Sequence, residues 1–361
     1  MNRRSLRVGQ LALAGVALSL TVGGVANADP NPTPGTPPAG VAPIDVVAGV
    51  GADAFAEAGN YIASGFNGQS ATKKMASYDA INPVTGAASE NITTKPGCTL
   101  ARPNGANAGL SAIKLDQMST VDSNAYCIDY VRASRAKATN GTENMLTFYA
   151  LGKDAVTWVG VSNAYAPTTP LSLAQLKGIF ECSITDWSQV GGQAGAIHLY
   201  LPPTTAATRS FFLGIIGSSD TAVQAGCGSN FTPTQQNDGT RLNADPQAIV
   251  MYGTSKYASQ FNGAPGSPDN RGGTILGQVN DTTKPLVNQT VNGTTYKVTN
   301  QNFATVRLLF DAVRTTAPAY VTNIFDPNGY VCTNQDSLLV PFGIKPLGSD
   351  TNATNYCGQA S

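Results

Sequence analysis

Charged side chains and histidine are scarce in this chain of 361 residues. Only 12% of the residues are charged, with 22 basic and 22 acidic side chains, and His198 is the single histidine. Nucleic-acid binding needs a basic surface, which this composition does not supply. One histidine and the absence of any Cys-x-x-Cys pair leave a zinc-type site without its usual ligands. We therefore expect no metal, no cofactor and no nucleic-acid partner.

Motifs of common enzyme classes are also missing. The sequence has no G-x-S-x-G, no P-loop and no H-E-x-x-H, and Gly49-Val50-Gly51 lacks the third glycine of a dinucleotide fingerprint. A Ser-His-Asp set would need His198, but the apolar run around it predicts a buried strand and a packed histidine. Glu181 and Asp238 are single acids without an evident partner, so a secreted hydrolase is the weakest alternative. We expect a protein that is not an enzyme.

Long apolar runs are lacking except near the N-terminus. Residues 1–28 begin with three arginines among the first seven positions, continue with an apolar stretch from Leu11 to Val22 and end in Ala26-Asn27-Ala28. This order predicts a cleaved secretory signal, because the stretch is shorter than the ~20 residues that span a bilayer. No cysteine follows it where a bacterial lipid anchor could be attached. We expect a secreted, periplasmic or surface-associated protein with no lipid anchor or transmembrane segment.

Six cysteines remain in the mature chain, which carries a formal charge of −3 after loss of the signal. An even number of cysteines in an exported protein predicts disulfides. Several pairings are possible, and we favour the one in which each bond closes a local segment. Those pairs are Cys98–Cys127, Cys182–Cys227 and Cys332–Cys357.

The order of elements along the chain predicts an α/β fold. Residues 29–43 are rich in proline and read as an extended spacer. From Ile44 a buried strand leads through glycines into a helix that Asp53 can cap, and the same strand–loop–helix order recurs at 102–115 and 196–216. The mature chain is longer than a single core usually allows, so two lobes are expected.

Further elements follow from periodicity and composition. Leu171 to Phe180 reads as an amphipathic helix with Ser172 as its N-cap, and Gln301 to Val313 reads as a second amphipathic helix. The segment from Gly253 to Thr295 is rich in Gly, Asn, Thr, Ser and Pro, which predicts loops and hairpins at the surface.

Three short loops rich in small and polar residues precede predicted helices, at Gly49–Phe55, Gly105–Gly109 and Thr204–Ser210. A helix N-terminus has unpaired N–H groups and a partial positive charge, so each loop is a candidate anion site. Ordinary helix capping is the alternative for each loop taken singly. Convergence of the three loops would favour binding.

Three segments resemble the phosphate-binding solute-binding proteins of ABC importers. They are Ile128-Asp129-Tyr130-Val131-Arg132-Ala133-Ser134-Arg135, Leu171-Ser172-Leu173-Ala174-Gln175-Leu176-Lys177-Gly178-Ile179-Phe180 and Ile184-Thr185-Asp186-Trp187-Ser188-Gln189-Val190-Gly191-Gly192. The resemblance implies a type 2 periplasmic-binding-protein fold, in which two lobes, each a mixed sheet flanked by helices, are joined by two crossing hinge strands. We expect residues 44–157 and 300–361 to form the first lobe, and residues 158–299 the second.

The resemblance also implies a ligand site in the cleft between the lobes. Carried over by position, the ligand groups would come from Asp53, Ala54, Ala106 or Asn107, Ser134, Arg135, Thr208, Arg209 and Ser210.

The sequence departs from the family pattern at three positions, since Arg135 replaces an aspartate, Pro202 an arginine and Ala206 the loop serine. The family's aspartate accepts the proton of the ligand, whereas Arg135 can only donate hydrogen bonds. Arg135 is therefore expected to replace the missing positive charge from the opposite wall, with selection of phosphate over sulfate weakened.

By this resemblance, the chain is an exported, monomeric protein that captures phosphate or a related oxyanion and delivers it to an ABC transporter permease. The alternative is a secreted or surface-associated protein that keeps the fold without transport.

Overall fold

The computed structural model describes residues 46–69 and 73–361. The predicted secretory signal and the proline-rich spacer lie outside the described residues. Within the described ranges, no helix is both long and apolar enough to cross a membrane.

Strands and helices alternate along most of the chain. The strands are β1 (Val46–Gly51), β2 (Lys74–Ser77), β3 (Asn91–Lys95), β4 (Cys98–Ala101), β5 (Tyr130–Ala133), β6 (Leu146–Val161), β7 (His198–Leu201), β8 (Thr232–Pro233), β9 (Ala248–Gly253), β10 (Thr274–Leu276), β11 (Leu286–Val291), β12 (Thr294–Thr299), β13 (Val306–Arg314) and β14 (Lys345–Pro346). The helices are α1 (Ala56–Gln69), α2 (Ala106–Ile113), α3 (Leu173–Phe180), α4 (Ala207–Ile215), α5 (Asp220–Cys227), α6 (Thr254–Asn262), α7 (Ala319–Phe325), α8 (Tyr330–Thr333) and α9 (Gln335–Leu339).

Ten of these strands form one mixed sheet, in the order β2-β1-β5-β13-β6-β9-β7-β8, with β10 and β14 also paired to β6. β1 pairs in parallel with β2 and β5, whereas β13 runs antiparallel to both β5 and β6. The hairpins β3–β4 and β11–β12 form two further small sheets. The α/β class predicted from strand–loop–helix repetition is confirmed.

Two long strands pass between separate hydrophobic cores. The first part of β6 contributes Phe148 and Leu151 to the cores of the first lobe, while Val156 and Trp158 lie in a core of the second lobe. β13 runs beside β6, with Val306 packed on the second lobe's core and later residues buried in the first lobe. The predicted two-lobed fold with two crossing strands is therefore confirmed.

The helix predicted from Gln301 to Val313 is wrong, because this segment contains strand β13. Most residues of Val306-Arg307-Leu308-Leu309-Phe310-Asp311-Ala312-Val313-Arg314 are buried, since the strand lies in the middle of the sheet with neighbours on both edges. A central strand covered on both faces has a nearly continuous apolar sequence, which periodicity does not distinguish from a buried helix. Pairing with two neighbouring strands decides the conformation.

Two other sequence predictions need correction. His198 is not a packed core residue: its side chain is 47% exposed, and its Nδ1 lies 2.8 Å from Asp245 Oδ1. Side chains of the short strand β7 alternate between its two faces, so His198 points outward while Leu199 and Leu201 enter the core.

The segment from Gly253 to Thr295 contains the predicted hairpin but also helix α6, whose residues are largely buried.

Helix α3 and the disulfides match their predictions. The Ser172 hydroxyl accepts a hydrogen bond from the Gln175 N–H, and the Gln175 side chain accepts one from the Ser172 N–H, forming a capping box. The pairs Cys98–Cys127, Cys182–Cys227 and Cys332–Cys357 are all bonded. The local pairing favoured from the sequence is confirmed.

Asp311 should make stability depend on pH. Burial raises the pKa of Asp311 to about 7, against the opposing charge of Arg132. The folded protein keeps this proton up to that pH, whereas the unfolded chain releases it near pH ~4. Between these values the folded state binds more protons, so its free energy of unfolding should fall as pH rises.

We expect Asp311→Asn to remove this part of the fall in stability and to be more stable than wild type at about pH 8. Urea unfolding followed by circular dichroism over this pH range measures the difference, because other carboxyl groups contribute equally to both proteins. Parallel pH profiles for the two proteins would contradict the assignment.

Candidate functional site

The three loops predicted as anion sites meet where the two lobes face each other. Asn104, just before α2, forms a bridge with Gly51 at the end of β1. Gly105 has φ +105°, and a Cβ added there would lie 2.8 Å from the Thr205 carbonyl oxygen. Only glycine permits this conformation and this close approach. The loops preceding α1, α2 and α4 therefore converge, and we call them the loop cluster.

Helix α4 presents its N-terminus to this cluster. Its N-cap, Ala206, provides no side-chain hydrogen bond, so the first N–H groups are not capped in the usual way. Thr208, the second residue of the helix, is 1% exposed, and its hydroxyl oxygen accepts a hydrogen bond from Arg307 Nη2 at 3.1 Å. A buried hydroxyl and free amide groups thus occur together.

Arg307 is the functional candidate that the sequence analysis missed. It lies on β13 opposite Asp154 of β6, and its Nε and Nη2 donate to Asp154 Oδ2 at 3.0 and 2.7 Å. Its Nη1 is buried and has no hydrogen-bond partner among the described residues. The sequence did offer a signal, because Arg307 is an arginine inside an apolar run. The incorrect helix prediction for this segment gave no reason to place Arg307 in the cleft.

Arg135 already has partners in the structure. Its Nη2 lies 2.6 Å from Glu143 Oε1, and its Nε donates to Asn107 Oδ1 at 2.7 Å. Burial would raise the pKa of Glu143, but hydrogen bonds from Arg135 and from the Ala138 N–H hold it below its usual value. The charge of Arg135 is therefore balanced by Glu143, and its role as a ligand group stays a prediction.

Asp53 connects the loop cluster to the other lobe. It does not cap a helix as predicted, because the N-cap is Ala52 and the Asp53 carboxylate instead accepts a hydrogen bond from Asn237 Nδ2 at 2.9 Å. Asn237 Oδ1 in turn accepts from the Gly253 N–H. Tertiary contact with the second lobe thus outcompetes local capping. Ala54 beside Asp53 is buried, and its role as a ligand group stays a prediction.

The remaining predicted ligand residues differ in their surroundings. Ser134 is buried at the end of β5. Arg209 donates to Asp220 Oδ1 and to the Pro202 carbonyl oxygen, both at 2.6 Å, and Ser210 donates to the Ala207 carbonyl oxygen at 3.2 Å. Arg209 and Ser210 are therefore engaged within the second lobe, and these contacts do not support a ligand role for their side chains.

A set of side chains that could bind a metal ion is absent from the part of the chain that the structure describes. No group of three or more His, Cys, Asp or Glu side chains there is arranged to hold a metal ion. The hydrogen-bond donors at the loop cluster include amide N–H groups and the Thr208 hydroxyl, with the Arg307 guanidinium beside them. These are hydrogen-bond donors suited to an anion.

A family model described as a PBP superfamily domain matches residues 68–306, which is most of the chain and includes crossing strand β6 but only the first residue of β13. This chain belongs to the PBP superfamily. The match includes the loops before α2 and α4, but the loop before α1 precedes it. No curated protein matches this PBP superfamily member.

Solved structures share its fold at low sequence identity. A putative phosphate ABC transporter substrate-binding protein with bound phosphate from Clostridium perfringens has 13% identity and a TM-score of 0.55, covering 83% of this chain and 98% of that one. An ABC-type phosphate transport receptor from Vibrio cholerae has 18% identity and a TM-score of 0.53, covering 83% of this chain and 99% of that one. At such identities the likeness shows the fold.

The Arg307–Asp154 pair should contribute strongly to stability. Asp154 is fully buried, so Asp154→Asn would leave the Arg307 guanidinium without its counter-charge. We expect a loss of about 3–5 kcal/mol in the free energy of unfolding. The matched control is Asp116→Asn, because Asp116 pairs with Arg314 of the same strand but its side chain is 57% exposed. The control should cost less than ~1 kcal/mol in urea unfolding. Equal losses would show that burial of the pair is not decisive.

Proposed function

We propose that this protein is an exported solute-binding protein that holds phosphate or a related oxyanion in the loop cluster and delivers it to an ABC importer. The observation that carries this proposal is the Arg307 guanidinium beside Thr208 at the N-terminus of α4, with Nη1 buried and unpartnered among the described residues. A buried donor without a partner is costly, and an anion oxygen would satisfy it. The function is binding without turnover.

Arg307 compensates for a change in the sequence. Pro202 stands where the resemblance implies an arginine, and the carbonyl oxygen of Pro202 accepts a hydrogen bond from Arg209. Arg307 reaches Thr208 from the neighbouring crossing strand, so a guanidinium is again present at the start of α4. Arg307 fills this role better than Arg135, whose charge Glu143 balances.

The strength of binding follows from the number of donors. Charge-assisted hydrogen bonds contribute ~1.5–3 kcal/mol each, and four or five of them reach a micromolar dissociation constant after losses from ordering and desolvation. The guanidinium groups of Arg307 and Arg135 are paired with the buried acids Asp154 and Glu143. The amide dipoles and the Arg307 Nη1 donor therefore supply most of the attraction for an anion.

Ligand entry requires movement of the lobes. The loops before α2 and α4 are in contact, as the position of Gly105 against Thr205 shows. The lobes are joined through β6 and β13, so separation by bending of these strands opens the loop cluster to solvent.

Two further observations support the assignment as an exported phosphate-binding protein. The two solved structures named above are titled as a phosphate transporter's substrate-binding protein and a phosphate transport receptor. Three local disulfides suit an oxidising compartment outside the cytoplasm.

Binding of inorganic phosphate by the ligand-free exported protein tests the proposal. We expect Thr208→Val and Arg307→Lys each to weaken the affinity about tenfold or more, because each removes or misplaces a donor at the α4 N-terminus, at ~1.4 kcal/mol per factor of ten. Isothermal titration calorimetry measures the affinity, and thermal unfolding confirms that each variant is folded.

The matched control is Thr157→Val. Thr157 is also fully buried and also makes one hydroxyl hydrogen bond, to the Gly277 carbonyl oxygen at 2.7 Å, away from the loop cluster. The affinity of the Thr157→Val protein for phosphate should stay within about twofold of wild type, a difference below the ~1 kcal/mol typical of one hydrogen bond. No binding of phosphate by the wild-type protein would refute the function, and wild-type affinity in both site variants would refute the site.

A further inference from the structure

A polar cavity of about 350 Å³ lies between the lobes, beside the loop cluster. Its size falls within the range of small-molecule sites, whereas an inorganic oxyanion alone would leave most of it empty. Both lobes contribute side chains to its walls, among them Asp53, Glu57, Asp79, Gln236, Asn237 and Lys256. The oxyanion site proposed above does not account for this space.

The charge of the lining disfavours an anion. The carboxylates of Asp53, Glu57 and Asp238 face two cations, and one of those cations, Arg241, has a side chain that is 72% exposed. The other is Lys256, which is buried and paired with Glu57. Burial would lower the pKa of Lys256, but the charges of Asp53 and Glu57 raise it, so the ammonium stays protonated and its charge is balanced. The remaining negative charge disfavours a phosphate-like group in this cavity.

Several nearly buried groups in the walls lack partners. Gln236 is 4% exposed, yet its side-chain amide makes no hydrogen bond with any described residue. The Nε2 of Gln235 is likewise buried and unpartnered within the described ranges. Asp53 Oδ2 accepts a hydrogen bond from Asn237, and Lys256 Nζ donates to Glu57, so these two charged groups have protein partners. Buried polar groups are normally satisfied, so the two glutamine amides favour a polar ligand in this cavity.

The unpartnered groups identify the chemistry of that ligand. The glutamine amides supply donors and acceptors, and the wall beside them adds the Asp53 carboxylate as an acceptor. A hydroxyl group both donates and accepts, so a group with several hydroxyls satisfies such a mixed wall. No aromatic side chain is among the described residues lining the cavity, which removes a stacking surface for a flat base or ring.

We propose that this cavity binds the uncharged, hydroxyl-rich part of a small molecule. Such a group comes either from a free polyol or sugar, or from the polyol part of a phosphate ester. The cavity adjoins the loop cluster, because the backbone of Asp53 belongs to that cluster while its side chain lines the cavity. The ester case rests on the proposed oxyanion site, whereas the free-polyol case does not.

Calorimetry on the exported protein, dialysed free of ligand, tests this proposal. The probes are inorganic phosphate, glucose, myo-inositol, glucose 6-phosphate and tetramethylammonium. The main variant is Gln236→Leu, which keeps the approximate shape of the side chain and removes an amide without a protein partner, so the fold should keep its thermal stability. The control is Gln193→Leu, an exposed glutamine of the second lobe that does not line the cavity.

We expect at least one hydroxylated probe to bind saturably, with affinity reduced about tenfold or more in Gln236→Leu and unchanged in Gln193→Leu, as the loss of a hydrogen bond to a ligand predicts. Thr208→Val then separates the two sources. Weaker binding of glucose 6-phosphate in that variant identifies an ester that spans both sites, and unchanged binding of glucose or inositol identifies a free polyol.

The negative outcomes are distinct for the two proposals. Binding of phosphate alone, with Gln236→Leu equal to wild type, would overturn the cavity proposal and leave the oxyanion site intact. Binding of tetramethylammonium without any hydroxylated probe would also overturn it. Binding of glucose or inositol without phosphate would reject the oxyanion function and support the cavity.

Discussion

The buried ion pair between Arg307 and Asp154 lies where the two lobes are joined, and much of the cleft is arranged around it. Asp154 accepts hydrogen bonds from the Arg307 guanidinium, the Thr254 hydroxyl and the Ser255 N–H, so β6, β13 and the start of α6 meet at one carboxylate. The same guanidinium contacts Thr208 at the start of α4. A buried charge needs a partner and several hydrogen bonds, and this requirement fixes the relative positions of the crossing strands and the second lobe's helices.

The cleft contains two chemically different surfaces. At the start of α4, amide groups, the Thr208 hydroxyl and the Arg307 guanidinium can donate hydrogen bonds, whereas the neighbouring cavity has carboxylates, amides and one buried ammonium. Asp53 belongs to both, by its backbone and by its side chain. A cleft divided in this way suits a ligand with a charged end and a polar uncharged end.

Alanine at two loop positions gives this cleft its particular character. Ala206 and Ala207 are almost completely buried at the start of α4, where the family resemblance implies a serine followed by a small residue. A serine hydroxyl that could cap the helix or contact an anion is absent. The Thr208 hydroxyl and the amide groups are therefore the donors that remain at the start of α4. Gly105 against Thr205 keeps the lobes close enough for those groups to act together.

The sequence by itself determined the local features of this protein. The capping box at Ser172 and Gln175, the strand–loop–helix order and the local disulfide pairing all depend on residues near one another in the chain. The long-range features came only from the tertiary structure. β13 is a strand because β5 and β6 pair with its two edges. The Asp53 carboxylate accepts a hydrogen bond from Asn237 of the other lobe instead of capping a helix. Arg307 and Gln236 are buried among residues that lie far away in sequence, and periodicity does not encode that environment.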